Sequence, residues 1–123
     1  MFSSSFQPLT PSVFYILLSL SIREKHGYEI MKEVESTSQG KIKLGPGTLY
    51  GTIKRMLEEK LIAETEKKNG DPSEKERRRY YKLTPQGEKT LSTELKRFAD
   101  ALEVAKQSPF NLITPLKLQL ILT

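Results

Sequence analysis

A chain of 123 residues, 37% apolar and 28% charged, has room for one modest core. It has no cysteine and a single histidine, His26, which excludes disulfides and thiolate metal sites and argues against a multi-histidine metal site or a serine–histidine relay. Lys and Arg number 20 against 15 Asp and Glu, a net charge of +5 with a pI near 9.4, a balance that suits a nucleic acid or another anionic partner.

Residues Met1 to Leu9 are serine-rich and read as a loose end. Thr10 is placed to cap a helix and Pro11 to occupy its first position, so a first helix is expected from Pro11 to about Lys25. Val13, Ile16, Leu17 and Leu20 form one stripe on it, and Phe14 and Leu18 a second. That helix should therefore be buried on more than one side, by its own domain and by a second subunit. The apolar run Val13 to Leu20 is far short of the ~20 residues a membrane span needs and has no basic segment before it, so neither a membrane anchor nor a leader is expected. His26 and Gly27 interrupt the helical pattern. Tyr28 opens a second helix that runs to about Thr37, with Tyr28, Ile30, Met31 and Val34 facing inward, and a polar connection then leads to Leu44.

The stretch Gly45 to Ile62 carries the third helix. Leu49, Ile53, Met56, Leu57 and Leu61 recur at intervals of three and four, which puts them on one side. Thr48, Tyr50, Gly51, Thr52, Lys54 and Arg55 fall on the other, and Pro46 suits the first turn. No acidic residue occurs from Ser36 through Leu57, so the polar side is uncharged or positive, an arrangement suited to phosphate. The period then changes to two. Leu61, Ala63 and Thr65 alternate with Ile62, Glu64 and Glu66, and Arg79, Tyr81 and Leu83 alternate with Tyr80 and Lys82. The polar segment between them contains Asn69, Gly70, Asp71 and Pro72, so the two strands form an antiparallel hairpin. Lys67 to Arg79 holds six cations (Lys67, Lys68, Lys75, Arg77, Arg78, Arg79) against three acids (Asp71, Glu74, Glu76), or +3 of the chain's +5. Thr84 and Pro85 start a last helix, on which Leu91, Leu95, Phe98, Leu102 and Ala105 repeat at three and four until Pro109. A helix this long on so small a domain has another chain to pack against. The tail, Phe110 to Thr123, alternates Leu116, Leu118, Leu120 and Leu122, and its role is not read from the sequence.

Three helices followed by a charged hairpin make a mainly α fold with a small antiparallel hairpin, the layout of a winged helix-turn-helix with a long C-terminal dimerisation helix. The expected division is 1–83 for DNA binding, 84–108 for dimerisation and 109–123 for the tail. The third helix is sized for a major groove, with Thr48, Tyr50, Gly51, Thr52, Lys54 and Arg55 toward the duplex. Lys68, Arg77, Arg78 and Arg79 of the hairpin reach phosphates beside it. The same outer face would also suit an acidic protein, which is the alternative reading: a winged-helix interaction module without specific DNA binding. No nucleophile, base or metal set points to an enzyme or a cofactor.

HGYEI (His26 to Ile30), PGTLYGTIKRMLEEKLI (Pro46 to Ile62) and YYKLTPQG (Tyr80 to Gly87) resemble the signature segments of the PadR family of bacterial transcriptional regulators in order and spacing, over about Pro11 to Ser108. The single long C-terminal helix resembles that of the short PadR subgroup. The resemblance implies a homodimer that binds palindromic operator DNA, usually as a repressor, and the absence of cysteine permits the cytoplasmic location expected here. Carried over by position, it puts Thr48, Tyr50 and Lys54 on the recognition helix and Lys68 and Arg77 to Arg79 in the wing. It puts Leu91, Leu95, Phe98 and Leu102 at the dimer contact, beside Phe14 and Leu18, which the second apolar stripe of the first helix already turns toward a second subunit. It makes Tyr80 and Tyr81 structural, and His26 and Tyr28 the residues that fix the turn between the first two helices. In some members a small aromatic molecule at the dimer interface releases the DNA. Such pockets are often lined by Trp, of which this chain has none.

Overall fold

The structure, a computed structural model, describes residues 8–66 and 79–114. In chain order these form α1 (Pro11–Ile22), β1 (Lys25–His26), α2 (Gly27–Thr37), α3 (Pro46–Glu58), β2 (Ile62–Glu66), β3 (Arg79–Leu83) and α4 (Pro85–Ala105). They make two compact units that divide between Leu91 and Ser92, inside α4. The mainly helical fold with a small antiparallel sheet agrees with the fold class expected from the sequence, and the helices fall where the three-and-four spacing puts them.

The first helix is shorter than expected, ending at Ile22 and not near Lys25. Thr10 caps it, its hydroxyl accepting from the Val13 N–H at 3.3 Å with Pro11 at the first position. It ends at Ile22, because Arg23 is fully extended and the chain turns into the two-residue strand β1. Lys25 then reaches back, and its ammonium donates to the Ser19 carbonyl in the last turn of α1, a group the helix itself leaves without a partner. The ammonium also lies 3.1 Å from a Glu33 oxygen of α2. Lys25 is 2% exposed, so this carboxylate and this carbonyl are what allow a charge to sit inside the fold.

The expected two-stranded hairpin is therefore a three-stranded sheet, in the order β1-β3-β2. β3 is central: Lys25 pairs with Tyr81 and His26 with Tyr80 on one edge, and Glu64 with Tyr81 and Thr65 with Tyr80 on the other. Tyr81 joins the helical core on one face of the strand, and the Tyr80 ring packs against the His26 ring. Tyr80 and Tyr81 are accordingly both buried, in place of the simple in–out alternation read from the sequence. Two residues are too few to show a period, so β1 leaves no signal in the sequence.

The core joins Ile16, Leu17 and Leu20 of α1, Ile30 and Val34 of α2, Leu49, Ile53 and Met56 of α3, and Leu61, Ile62, Tyr81 and Leu91. Phe14 packs partly against it and makes an edge-on contact with Tyr15 at 5.2 Å between ring centres, while Leu18 is also half-buried. α3 ends where Lys60 adopts a left-handed conformation (φ 62°), which lets the Leu61 N–H close back on the Met56 carbonyl at 3.0 Å. The start of α4 is fastened to this corner. The Thr84 hydroxyl donates to the Lys60 carbonyl at 2.6 Å and accepts from the Gly87 N–H at 3.0 Å, while the Thr84 N–H reaches the Leu61 carbonyl at 3.2 Å. Gly87 is buried against that same carbonyl. A side-chain carbon there would overlap the Leu61 oxygen and stand 2.9 Å from its carbon, and neither backbone atom can swing aside. Gly87→Ala is expected to destabilise the protein by about 1–3 kcal/mol through overpacking, measured by urea or thermal unfolding.

Candidate nucleic-acid interface

α3 has one side in the core and one in solvent. Leu49, Thr52, Ile53 and Met56 are buried, and Thr48, Tyr50, Gly51, Lys54 and Arg55 are exposed. Thr52 is a correction to the sequence reading, which set it on the outer face. It lies one turn from Leu49 and Met56 on the same side, 5% exposed, and its hydroxyl donates to the Thr48 carbonyl at 2.8 Å. Its polar character suggested solvent, but its spacing already gave the inner side. No side chain caps the N-terminus of α3, Gly45 being the cap residue, and no acid sits in its first turn. That end presents backbone N–H groups and the positive pole of the helix outward. From residue 36 to 57 the cations are Lys41, Lys43, Lys54 and Arg55, with no carboxylate. Gly51 faces open space: a side-chain carbon there would meet nothing within 4 Å, so the fold's own packing does not require a glycine at that exposed position.

Arg79 opens β3 on the surface, with its guanidinium 3.8 Å from a Glu64 oxygen across the sheet. Lys68, Arg77 and Arg78 lie outside the described residues. Tyr81, on the wing strand β3, is buried in the core. Burial pushes its hydroxyl above the ordinary tyrosine value, the Glu64 carboxylate and Tyr50 push the same way, and Arg79 opposes them.

The turn into α2 is held by His26 and Glu29, which cap each other. The His26 ring nitrogen Nδ1 accepts from the Glu29 N–H at 3.3 Å, and the Glu29 carboxylate accepts from the His26 N–H at 3.2 Å. The His26 ring also meets the Tyr80 ring edge-on, 5.4 Å between centres, which ties the cap to β3. Tyr28, read from the sequence as inward-facing, is 55% exposed, and the Lys32 ammonium lies over its ring, 5.6 Å from the centre. Tyr28, Glu29 and Lys32, with Arg23, Lys25, Glu33 and Ser36, line a shallow groove of about 330 Å³ in which Arg23 pairs with Glu29 and Lys25 with Glu33. Among the described residues no cluster of His, Cys, Asp and Glu is arranged to hold a metal ion, and no helix is long and apolar enough to cross a membrane.

On α4, Leu95, Phe98 and Leu102 lie at intervals of three and four, on one side of the helix, and are 41, 46 and 47% exposed. Leu91 begins the same stripe in the sequence but is 4% exposed and belongs to the chain's own core. This corrects its assignment to a contact with a second subunit: its own fold already covers it.

The family model described as "Transcriptional regulator PadR-like family" matches residues 16–93. The chain belongs to that family. Its members are transcriptional regulators, so the protein is a DNA-binding regulator by family and not one of a family of enzymes. The chain is 30% identical over 90 residues to an uncharacterised protein of Lysinibacillus sphaericus, covering 72% of this chain and 80% of the relative. It is 38% identical over 55 residues to the transcriptional regulator YqjI of Escherichia coli, 45% of this chain but only 27% of that longer protein. Among solved structures, a PadR family transcription regulator from Clostridium difficile is 28% identical with a TM-score of 0.65, over 80% of this chain and 97% of the other. A transcriptional regulator from Clostridium thermocellum shares the fold at 22% identity and a TM-score of 0.60, over 80% of this chain and 89% of the other. The PadR match spans α2, α3, the sheet and the start of α4, the elements that hold the outer face of α3 in place.

The His26–Glu29 cap gives the fold a signature in acid. Burial pushes the Glu29 carboxyl up, but hydrogen bonds from the Arg23 side chain and the His26 backbone, with the charges beside it, bring it below the ordinary 4.5. The unfolded group titrates near 4.5 and the folded one lower, so its stabilising contribution is complete above pH 4.5 and is lost as pH falls through the lower folded value. Glu29→Gln is therefore expected to unfold more readily than the native chain above that pH and to converge with it in stronger acid, as followed by urea unfolding across pH.

Proposed function

We propose that the protein is a homodimeric repressor that lays α3 of each subunit into the major groove at one half of a palindromic operator. The half-sites would be spaced about one helical turn, ~34 Å, apart. The observation that carries this is the outer face of α3: Thr48, Tyr50, Lys54 and Arg55 stand exposed around Gly51, beside an uncapped helix N-terminus and with no carboxylate from residue 36 to 57. Hydroxyls, a guanidinium and an ammonium are the groups that read base edges and grip phosphates. Gly51 costs a helix about 1 kcal/mol relative to alanine and answers no need of the fold, so its use is to let a duplex come close to the backbone. The wing cations Lys68, Arg77, Arg78 and Arg79 add phosphate contacts whose strength falls with salt.

In this proposal residues 1–83 bind DNA, α4 and its continuation to residue 108 join the subunits as in the short PadR subgroup, and 109–123 form a tail. The stripe Leu95, Phe98 and Leu102 supports the dimer. Each side chain is nearly half exposed, and burying the remainder yields about 1 kcal/mol apiece, roughly half the value for a fully exposed side chain. Phe14 and Leu18, half-buried on α1, complete the contact with the partner. The family likeness extends the reading to a bacterial cytoplasmic regulator and to release from DNA by a small aromatic molecule.

A nuclease footprint on the DNA upstream of the protein's own gene tests the proposal. Two protected, symmetry-related half-sites are expected, and binding with no preference over random duplex would favour an interaction module. Gly51→Ala should act in opposite directions, stabilising the fold by about 0.5–1 kcal/mol and weakening operator binding about tenfold. Thermal unfolding and fluorescence anisotropy read the two effects. Phe98→Glu should leave a folded monomer by analytical ultracentrifugation. Its operator affinity should drop about 100-fold or more as the second half-site is lost.

A further inference from the structure

Gly27 is the first residue of α2 and is buried, with no access to a duplex. A side-chain carbon on it would overlap the Tyr50 hydroxyl oxygen and stand 2.8 Å from Cζ and 3.0 Å from Cε1. The far end of the Tyr50 ring therefore lies against the Gly27 backbone, in space left by the missing Cβ. Tyr50 projects from the exposed side of α3 and is 50% exposed, so its ring is shared between the surface and this seat. The Tyr81 hydroxyl of β3, raised chiefly by its burial, is raised further by Glu64 and by Tyr50. One side chain thus connects the outer face of α3 with the first turn of α2 and with the middle strand of the wing.

We propose that Gly27 is a positioning residue for DNA recognition: it provides the seat that fixes the direction in which Tyr50 leaves α3, and so sets which bases the helix can read. This rests on the reading of α3 as the recognition helix. The contrast with Gly87 shows why the effect can be separated from folding. At Gly87 an added carbon meets immovable backbone, whereas at Gly27 it meets the free end of a ring that can rotate away. Gly27→Ala should therefore keep the fold and displace Tyr50.

The test compares Gly27→Ala, Tyr50→Ala and the double variant for binding to the operator and to random duplex, with tyrosine ring carbons labelled for NMR. Gly27→Ala is expected to lose about tenfold in operator affinity and less than about twofold on random duplex, since phosphate contacts are untouched. In the Tyr50→Ala background the same change should cause no further loss, because the two act as one unit. The Tyr50 ring resonances should shift in Gly27→Ala without any DNA present, because the added carbon displaces the ring from its seat. Native operator affinity in Gly27→Ala overturns the proposal, as does an equal loss with and without Tyr50. Tyr50→Leu empties the seat without adding a carbon to α2, and unchanged operator preference in that variant overturns it even if Gly27→Ala does not fold. Should the native protein show no operator preference, the recognition-helix reading fails and the role of Gly27 in recognition fails with it. The Tyr50 ring resonances then still report whether the seat exists.

Discussion

The packing of Leu49, Ile53 and Met56 into the core is the constraint on which the rest depends. These three residues meet the apolar side of α1 and α2, Ile16, Leu17, Ile30 and Val34, with none of them more than 2% exposed. A helix buried along one stripe has no freedom to rotate about its axis, because a close-packed interior resists even a one-methylene change. The opposite stripe is then committed to solvent. Thr48, Tyr50, Gly51, Lys54 and Arg55 face outward because Leu49, Ile53 and Met56 face inward.

A fixed rotation is not yet a fixed place, and the joints around α3 supply that. The buried Lys25 fastens the end of α1 to α2 through the Ser19 carbonyl and Glu33. His26 fastens the start of α2 to β3 through its cap and the Tyr80 ring. Thr84 fastens the start of α4 to the end of α3. Each joint places polar groups where the backbone would otherwise leave a donor or acceptor unsatisfied, so each is specific in geometry as well as stabilising. The two-residue strand β1 matters more than its length suggests, since it carries both Lys25 and His26 and converts the wing hairpin into a sheet continuous with the helical core.

Charge is arranged to the same end. The chain carries only a moderate positive excess, but its acids are kept away from residues 36–57 and its basic residues gather at the outer face of α3 and in the segment between the wing strands. Two carboxylates beside the core are occupied by neighbours: Glu29 by Arg23 and the His26 backbone, and Glu33 by Lys25. A surface cleared of carboxylates and supplied with donors is what a polyanion meets with least repulsion.

The helices, the hinge at His26 and Gly27, the wing strands and the PadR resemblance were legible in the sequence because each rests on local chemistry. A period of three and four or of two, a Thr-Pro start and a run of basic residues all act over a few positions. The side of α3 that faces outward could also be read, except at Thr52, where residue polarity and helical spacing disagreed and packing followed the spacing. Only the tertiary structure decided the pairing of Lys25 and His26 with β3, the burial of both Tyr80 and Tyr81, the assignment of Leu91 to the chain's own core, and the seat of Tyr50 on Gly27. Those features join residues about 20 to 55 positions apart. A linear pattern records which face a residue prefers, but the neighbour that fills that face is set by how the elements close upon one another.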